Sequence, residues 1–239
     1  MKVAFVPVFG AALALAACGD SADTQDATRS AESSEAPVAL DPIPIMGEEV
    51  RIIAFGDSLF AGYGLKNASG DSYPAKLEAA LRARGVNVRM LNAGVSGDTT
   101  AAGLGRIEFL LDAQDEKPDL FILELGANDF LRRLPPEETR ANLAAMLDIL
   151  KARDIPVLIM GMLAPPNLGP EYRQAFDSAY PELAEEYGAD LIPFWMESIY
   201  TKQQMFQSDR LHPTVEGIEL LVVSTVDQVA EAVPEPVAD

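Results

Sequence analysis

One histidine occurs in the 239-residue chain, His212, inside the segment QSDRLHPT at 207–214. An imidazole titrates near pH ~6.5 and so can take a proton from a hydroxyl at neutral pH. Asp209, three residues earlier in the same loop, is close enough to orient the ring through its second nitrogen. With a single imidazole in the chain, any mechanism in which a histidine takes the hydroxyl proton has to use His212, although a lone histidine near a helix start also fits a packing or capping role. The hydroxyl candidate is Ser58 in AFGDSLFAGYG, two residues beyond an apolar run and next to a glycine, Gly56, that lets the backbone bend sharply. A serine there fits a helix N-cap or a phosphate-binding turn as readily as a nucleophile. It is not the G-x-S-x-G elbow of the α/β-hydrolases. Two more turns offer donors. Gly94 in LNAGVSGDTT has no side chain to keep a substrate from its N–H, although the segment also reads as a tight turn with Asp98 or Thr99 capping the next helix. Asn128 in LGANDF can donate its amide to a negative oxygen, or can serve turn geometry alone.

Elements must bring these residues together. The runs VRIIAFG (50–56), VNVRMLNA (86–93), DLFILELG (119–126), IPVLIMG (155–161) and ADLIPF (189–194) have the continuous apolar character of buried strands. Helical spacing fills the gaps. Leu143, Met146, Leu147 and Leu150 follow i, i+3, i+4, i+7 behind Pro135-Pro136 and two acids, and Ile218, Val222, Thr225 and Val229 share one face near the C-terminus. Strand–helix alternation of this kind predicts an α/β fold with a five-stranded parallel sheet covered on both faces. In such sheets ligands sit beyond the carboxyl ends of the strands, where the polar turns GDSLFAG, AGVSGDT, GANDF and GMLAPPN fall.

Charge and composition remove whole classes of function. A formal net charge of −19 repels nucleic acid at long range, so no nucleic-acid partner is expected. One cysteine and one histidine cannot build a clustered zinc site, and no Asp-rich loop has calcium-binding spacing, so no metal is expected, with a carboxylate-only site left open. Chemistry run by an activated serine requires no cofactor. The first 17 residues read as an export signal: Lys2, then an apolar run over 3–17 too short for a comfortable membrane span. Its close, LAACG at 15–19, resembles the lipobox of bacterial lipoproteins, with Cys18 the residue lipidated; the other reading is an ordinary cleaved signal in which Cys18 is incidental. The lipobox resemblance implies an exported protein held at the periplasmic face of the envelope, in the outer membrane, by an N-terminal lipid anchor. Residues 18–49 carry eight acids against one arginine and hardly any large apolar side chain, the composition of a disordered tether. The folded body is then expected over 50–239.

Taken in order, GDSL at 56–59, Gly94 in NAGVSGDT, Asn128 in GAND and DRLH at 209–212 resemble the four blocks of the SGNH, or GDSL, hydrolases. The likeness runs over essentially the whole body and is strongest to the thioesterase I/arylesterase/lysophospholipase branch. It implies a three-layer, flavodoxin-like α/β/α sandwich with Ser58 as nucleophile, His212 as base and Asp209 as its orienter. The oxyanion hole it implies combines the N–H groups of Ser58 and Gly94 with the side-chain amide of Asn128. In that branch the loop after the Asn block borders the acyl pocket, which here brings in Phe130. Leu131, Leu134, Met162, Leu163 and Pro165 are apolar loop residues suited to the same pocket. The reaction implied is hydrolysis of aryl, lysophospholipid or other acyl esters, and of thioesters, through an acyl-enzyme. An exported protein does not meet cytosolic acyl-CoA, which favours the esters. Two rival readings stand beside it: a carbohydrate O-acetylesterase of the cell envelope, and a non-catalytic envelope-binding lipoprotein with the same fold.

Overall fold

The structure, a computed structural model, describes residues 44–234. The signal expected over 1–17, Cys18 and most of the tether lie outside the described residues. Strand β1 (Met46–Gly56) leads into two short helices, α1 (Ser58–Ala61) and α2 (Ala68–Asp71), then α3 (Tyr73–Ala83). There follow β2 (Val86–Gly94), α4 (Thr100–Asp112), β3 (Leu120–Leu123), α5 (Ala127–Leu131) and α6 (Pro136–Ala152). The chain continues through β4 (Val157–Met160), α7 (Pro170–Tyr187) and β5 (Asp190–Ile192), and closes on α8 (Val215–Ala232). All five strands are parallel, in the order β2-β1-β3-β4-β5.

The apolar runs form strands because both faces are covered. Ile52 to Phe55 in β1 and every residue of β3 are buried, so no alternation of polar and apolar residues survives there. The anticipated helical faces are buried as well: Leu143, Met146, Leu147 and Leu150 in α6, and Ile218, Val222, Thr225 and Val229 in α8. Pro136 stands at the start of α6 with Glu137 and Glu138 in its first turn, where a missing N–H is harmless and negative charge is favoured.

One boundary departs from the sequence reading. β1 begins at Met46 rather than Val50, so the last four residues assigned to the tether are ordered strand. Their side chains are exposed, and main-chain bonding holds them: Met46 N–H donates to Gly85 O at 3.3 Å, and Asn87 Nδ2 donates to Gly47 O at 3.1 Å. Composition reports side-chain burial and is blind to pairing of this kind. No helix among the described residues is long and apolar enough to cross a membrane.

β1 is where the strand order turns, with β2 on one side and β3 on the other. A crevice opens at such a point beyond the carboxyl ends of the strands. The turns after β1, β2 and β3 therefore converge, and Ser58, the AGVSG segment and Asn128 meet there.

Candidate active site

β1 ends at Gly56 and the chain turns at once into α1. A Cβ at Gly56 would stand 2.6 Å from Glu124 Oε2 and 2.9 Å from Glu124 O, so the turn closes over a glycine. The helix N-cap is Asp57, whose Oδ1 accepts the Leu59 N–H at 2.9 Å. That settles one alternative, since the cap is the neighbour of Ser58. Ser58 is the first helical residue, its hydroxyl is not used in capping, and its N–H has no acceptor within the helix.

Folding closes 154 residues of separation at this point. His212 Nε2 lies 2.8 Å from Ser58 Oγ, and His212 Nδ1 lies 2.7 Å from Asp209 Oδ2. Asp209 Oδ1 accepts the N–H groups of Leu211 at 2.9 Å and His212 at 3.1 Å. Burial acts to raise the Asp209 pKa. The bond from the His212 ring, the two N–H groups and the imidazole charge outweigh it and bring the carboxyl to about 2. Asp209 is therefore an anion beside the imidazole throughout the neutral range. The loop is stitched by Gln207, whose N–H donates to His212 O at 2.8 Å and whose side-chain Nε2 donates to Tyr63 O at 2.8 Å and Pro213 O at 2.9 Å. The Tyr63 ring lies against the imidazole with centroids 4.6 Å apart.

Asn128 lies in the first turn of α5, and the buried Asp129 beside it anchors that helix. Asp129 accepts from Thr100 N at 2.9 Å, Thr100 Oγ1 at 2.5 Å and Thr139 Oγ1 at 3.2 Å, tying α5 to α4 and α6. Asn128 Nδ2 donates to Asp57 Oδ2 at 2.8 Å and to Asp98 O at 2.9 Å. Arg106 braces both ends of this arrangement. Its Nε donates to Asp98 Oδ2 at 2.6 Å, its Nη2 donates to Gly56 O at 3.1 Å, and its guanidinium lies 3.8 Å from the Phe55 ring centroid. Thr99, one of the two anticipated caps, accepts the Ala102 N–H at the start of α4.

The structure corrects the expectation for Gly94. β2 runs on through this residue, which pairs with Gly56, and its N–H donates to Asn92 Oδ1 at 3.0 Å. A Cβ there would run into Ala61 N and Asp57 O. Gly94 thus serves the packing of α1 on β2 and does not line the cavity. Gly97, three residues on, does line it; its φ is +89°, and its N–H donates to no group among the described residues. The sequence reading missed Gly97 because two glycines stand in AGVSG and the end of the strand decides between them. SGDT, a glycine just before capping residues, is the signal that was there to find.

A cavity of about 660 Å³ opens beside Ser58 and His212. Phe130, Leu131, Met162, Leu163 and Pro165 line it as anticipated, joined by Phe194, Met196, Tyr200, Phe206 and Arg210. Leu134 does not. Arg133, at φ 57°, reverses the chain before it, and the Leu134 main chain bonds Asp129 O and the Tyr172 hydroxyl instead. Among the described residues no three His, Cys, Asp or Glu side chains are grouped to hold a metal ion.

A hydroxyl bonded to an imidazole that is bonded in turn to a carboxylate is the contact pattern of serine hydrolases, here at the carboxyl edge of a doubly wound sheet. The chain belongs to the GDSL-like Lipase/Acylhydrolase family, whose sequence model matches residues 54–220, and it is an esterase of the GDSL/SGNH type. It is 40% identical over 167 residues to an arylesterase of Vibrio mimicus, covering 70% of this chain and 82% of that protein. To the thioesterase 1/protease 1/lysophospholipase L1 of Escherichia coli it is 37% identical over 162 residues, covering 68% of this chain and 74% of that one. The crystal structure of AlinE4, an SGNH-hydrolase family esterase, superposes with a TM-score of 0.67 at 57% identity, covering 80% of this chain and 100% of that one.

Proposed function

We propose that the protein hydrolyses carboxylic esters of aryl alcohols, lysophospholipids or related acyl compounds through a covalent acyl-enzyme, with thioesters as secondary substrates. The observation that carries this reading is the 2.8 Å contact between His212 Nε2 and Ser58 Oγ, backed by the 2.7 Å contact to Asp209. Ser58 Oγ attacks the ester carbonyl carbon while its proton passes to His212 Nε2. The tetrahedral species collapses by breaking the bond to the alcohol oxygen, which leaves with that proton. Water then attacks the acyl-enzyme with His212 again as base, releasing the acid and restoring Ser58. Asp209, anionic next to the ring, orients it and stabilises the imidazolium.

The negative oxygen of the tetrahedral species is received by the N–H of Ser58, the N–H of Gly97 and the amide of Asn128. Both backbone groups are unengaged by other groups among the described residues. The Asn128 amide already bonds Asp57 and Asp98, so it shares one of these hydrogens with the oxyanion as charge develops. The wide apolar cavity supports an aryl or medium acyl chain over acetyl, since a site restricted to acetyl has no use for Phe130, Phe194 and Phe206 in its wall. That weighs against the carbohydrate O-acetylesterase reading.

The test is hydrolysis of p-nitrophenyl esters of graded chain length, with an acetylated sugar alongside. Wild type is expected to turn over the aryl esters, and Ser58→Ala to lose roughly 10⁴-fold or more in kcat. Equal turnover by Ser58→Ala refutes the assignment of the nucleophile, and preference for the acetylated sugar refutes that of the substrate.

A further inference from the structure

Beneath the nucleophile turn lies an acid that the mechanism above does not use. Glu124 follows β3 directly and is 0% exposed. Its Oε2 accepts the Asp57 N–H at 3.3 Å, and its Oε1 has no hydrogen-bond partner among the described residues. Asp57, also 0% exposed, is better served: Leu59 N–H binds one oxygen and Asn128 Nδ2 the other. Two buried carboxyls so close do not both carry charge, and a lone charge rests where the donors are. Here that is Asp57.

The position of the charge matters for Asn128. An anionic Asp57 and the carbonyl of Asp98 are both acceptors, so both demand the NH₂ end of the amide and fix its orientation in the cavity that Asn128 lines with Ser58. If the charge lay on Glu124 instead, Asp57 would carry a proton and could donate to the amide oxygen, leaving the Asp98 carbonyl as the one acceptor that still favours the NH₂ end. We propose that Glu124 is a positioning residue of the oxyanion site: a neutral acid that props the Gly56–Ser58 turn from below and leaves the single negative charge of the pair on Asp57, where it orients Asn128. Steric contact agrees, because Gly56 lies against this carboxyl too closely for any side chain.

The surrounding charges agree as well. Burial pushes Glu124 well above the ordinary carboxyl range, and the charge of Asp57 adds to that, against one N–H bond that lowers it. Burial also raises Asp57, but Leu59 N–H, the Asn128 amide and His212 restrain it against Asp98, leaving it at about 6. From α7, Tyr180 faces the pair with its hydroxyl committed to Leu125 O at 3.0 Å. From α4, Arg106 is committed to Asp98 and Gly56 O.

The proposal rests on Asn128 as an oxyanion donor, and its experiment has one readout independent of that. Infrared spectra at neutral pH are compared for wild type and Glu124→Gln. The expected result is a protonated carboxylic-acid carbonyl stretch in wild type that is missing in the variant; no difference in that band overturns the proposal. In turnover, Glu124→Gln, a neutral isostere, is expected to keep kcat within about threefold of wild type. Glu124→Ala is expected to lose about tenfold or more in kcat with little change in KM, as for a misplaced oxyanion donor. Equal losses in the two variants, or none in the alanine variant, overturn it. Failure of the underlying assignment appears elsewhere, as undiminished turnover by Asn128→Ala.

Discussion

The two halves of this site are built by opposite means. The half proposed to receive the oxyanion sits on the scaffold: Asp57, Glu124 and Asp129 are buried, Arg106 clamps two of the turns, and each turn leaves a strand whose ladder is already fixed. The half proposed to supply the base is a loop: the side chain of Asp209 is 36% exposed, Leu211 is exposed, and Arg210 holds a left-handed φ of 59°. What keeps it in register is Gln207, reaching across to Tyr63 O, and the bridge between Phe206 and Pro213. The difference teaches where precision comes from. Donors that must meet a developing charge without reorganising belong on rigid elements. A base that moves a proton tolerates a tether, provided something pins its ring.

That contrast can be broken first on the scaffold side. Asn128→Ala deletes a donor and also strips Asp57 of one of its two bonds. The expected loss is roughly 10²–10³ in kcat/KM, mostly in kcat, measured with the best p-nitrophenyl ester. A loss below tenfold would mean that the amide serves only Asp57 and Asp98. On the loop side, Gln207→Ala removes the two side-chain bonds that stitch the loop and keeps Ser58, His212 and Asp209. About a tenfold loss in kcat is expected, because a base displaced by a fraction of an ångström still finds its partner part of the time. Steady-state kinetics decides it. If the loop variant is hurt as badly as the scaffold variant, the two halves are equally rigid and the comparison fails.

The sequence carried the sheet well, because a strand buried on both faces reads as an unbroken apolar run. It pointed to Ser58, His212 and Asp209 because one histidine leaves no other imidazole and four motifs stand in order, and the structure brings the three side chains within hydrogen-bond distance. It did not carry Gly97, since only the register of β2 shows that Gly94 is still strand and its N–H is spent on Asn92. Leu134 was misplaced for a similar reason: apolar character does not reveal that the left-handed Arg133 turns the chain away from the cavity. Glu124 passed as one polar letter in DLFILELG. A carboxyl amid such a run is costly to bury, and that cost was the clue to a neutral acid. The start of β1 at Met46 was hidden because backbone pairing leaves no trace in hydrophobicity.

The smallest expected effect lies at Arg210, and it probes the loop side from the direction of stability. A residue with a Cβ held at φ 59° bears about 1 kcal/mol of strain that glycine does not. Glycine also gains freedom in the unfolded chain, worth about 0.5–1 kcal/mol against the fold. The two nearly cancel, so Arg210→Gly is expected to move stability by no more than about 0.5 kcal/mol, or about 1–2 °C in Tm for a body of this size. Turnover of neutral esters should change less than about threefold, since the bonds from Gln207 and Asp209 that set the His212 ring do not involve the Arg210 side chain. Calorimetry and kinetics on the same preparation measure both. A large drop in Tm would show the guanidinium bracing the loop, and the base half would then be a built element like its counterpart beneath Ser58.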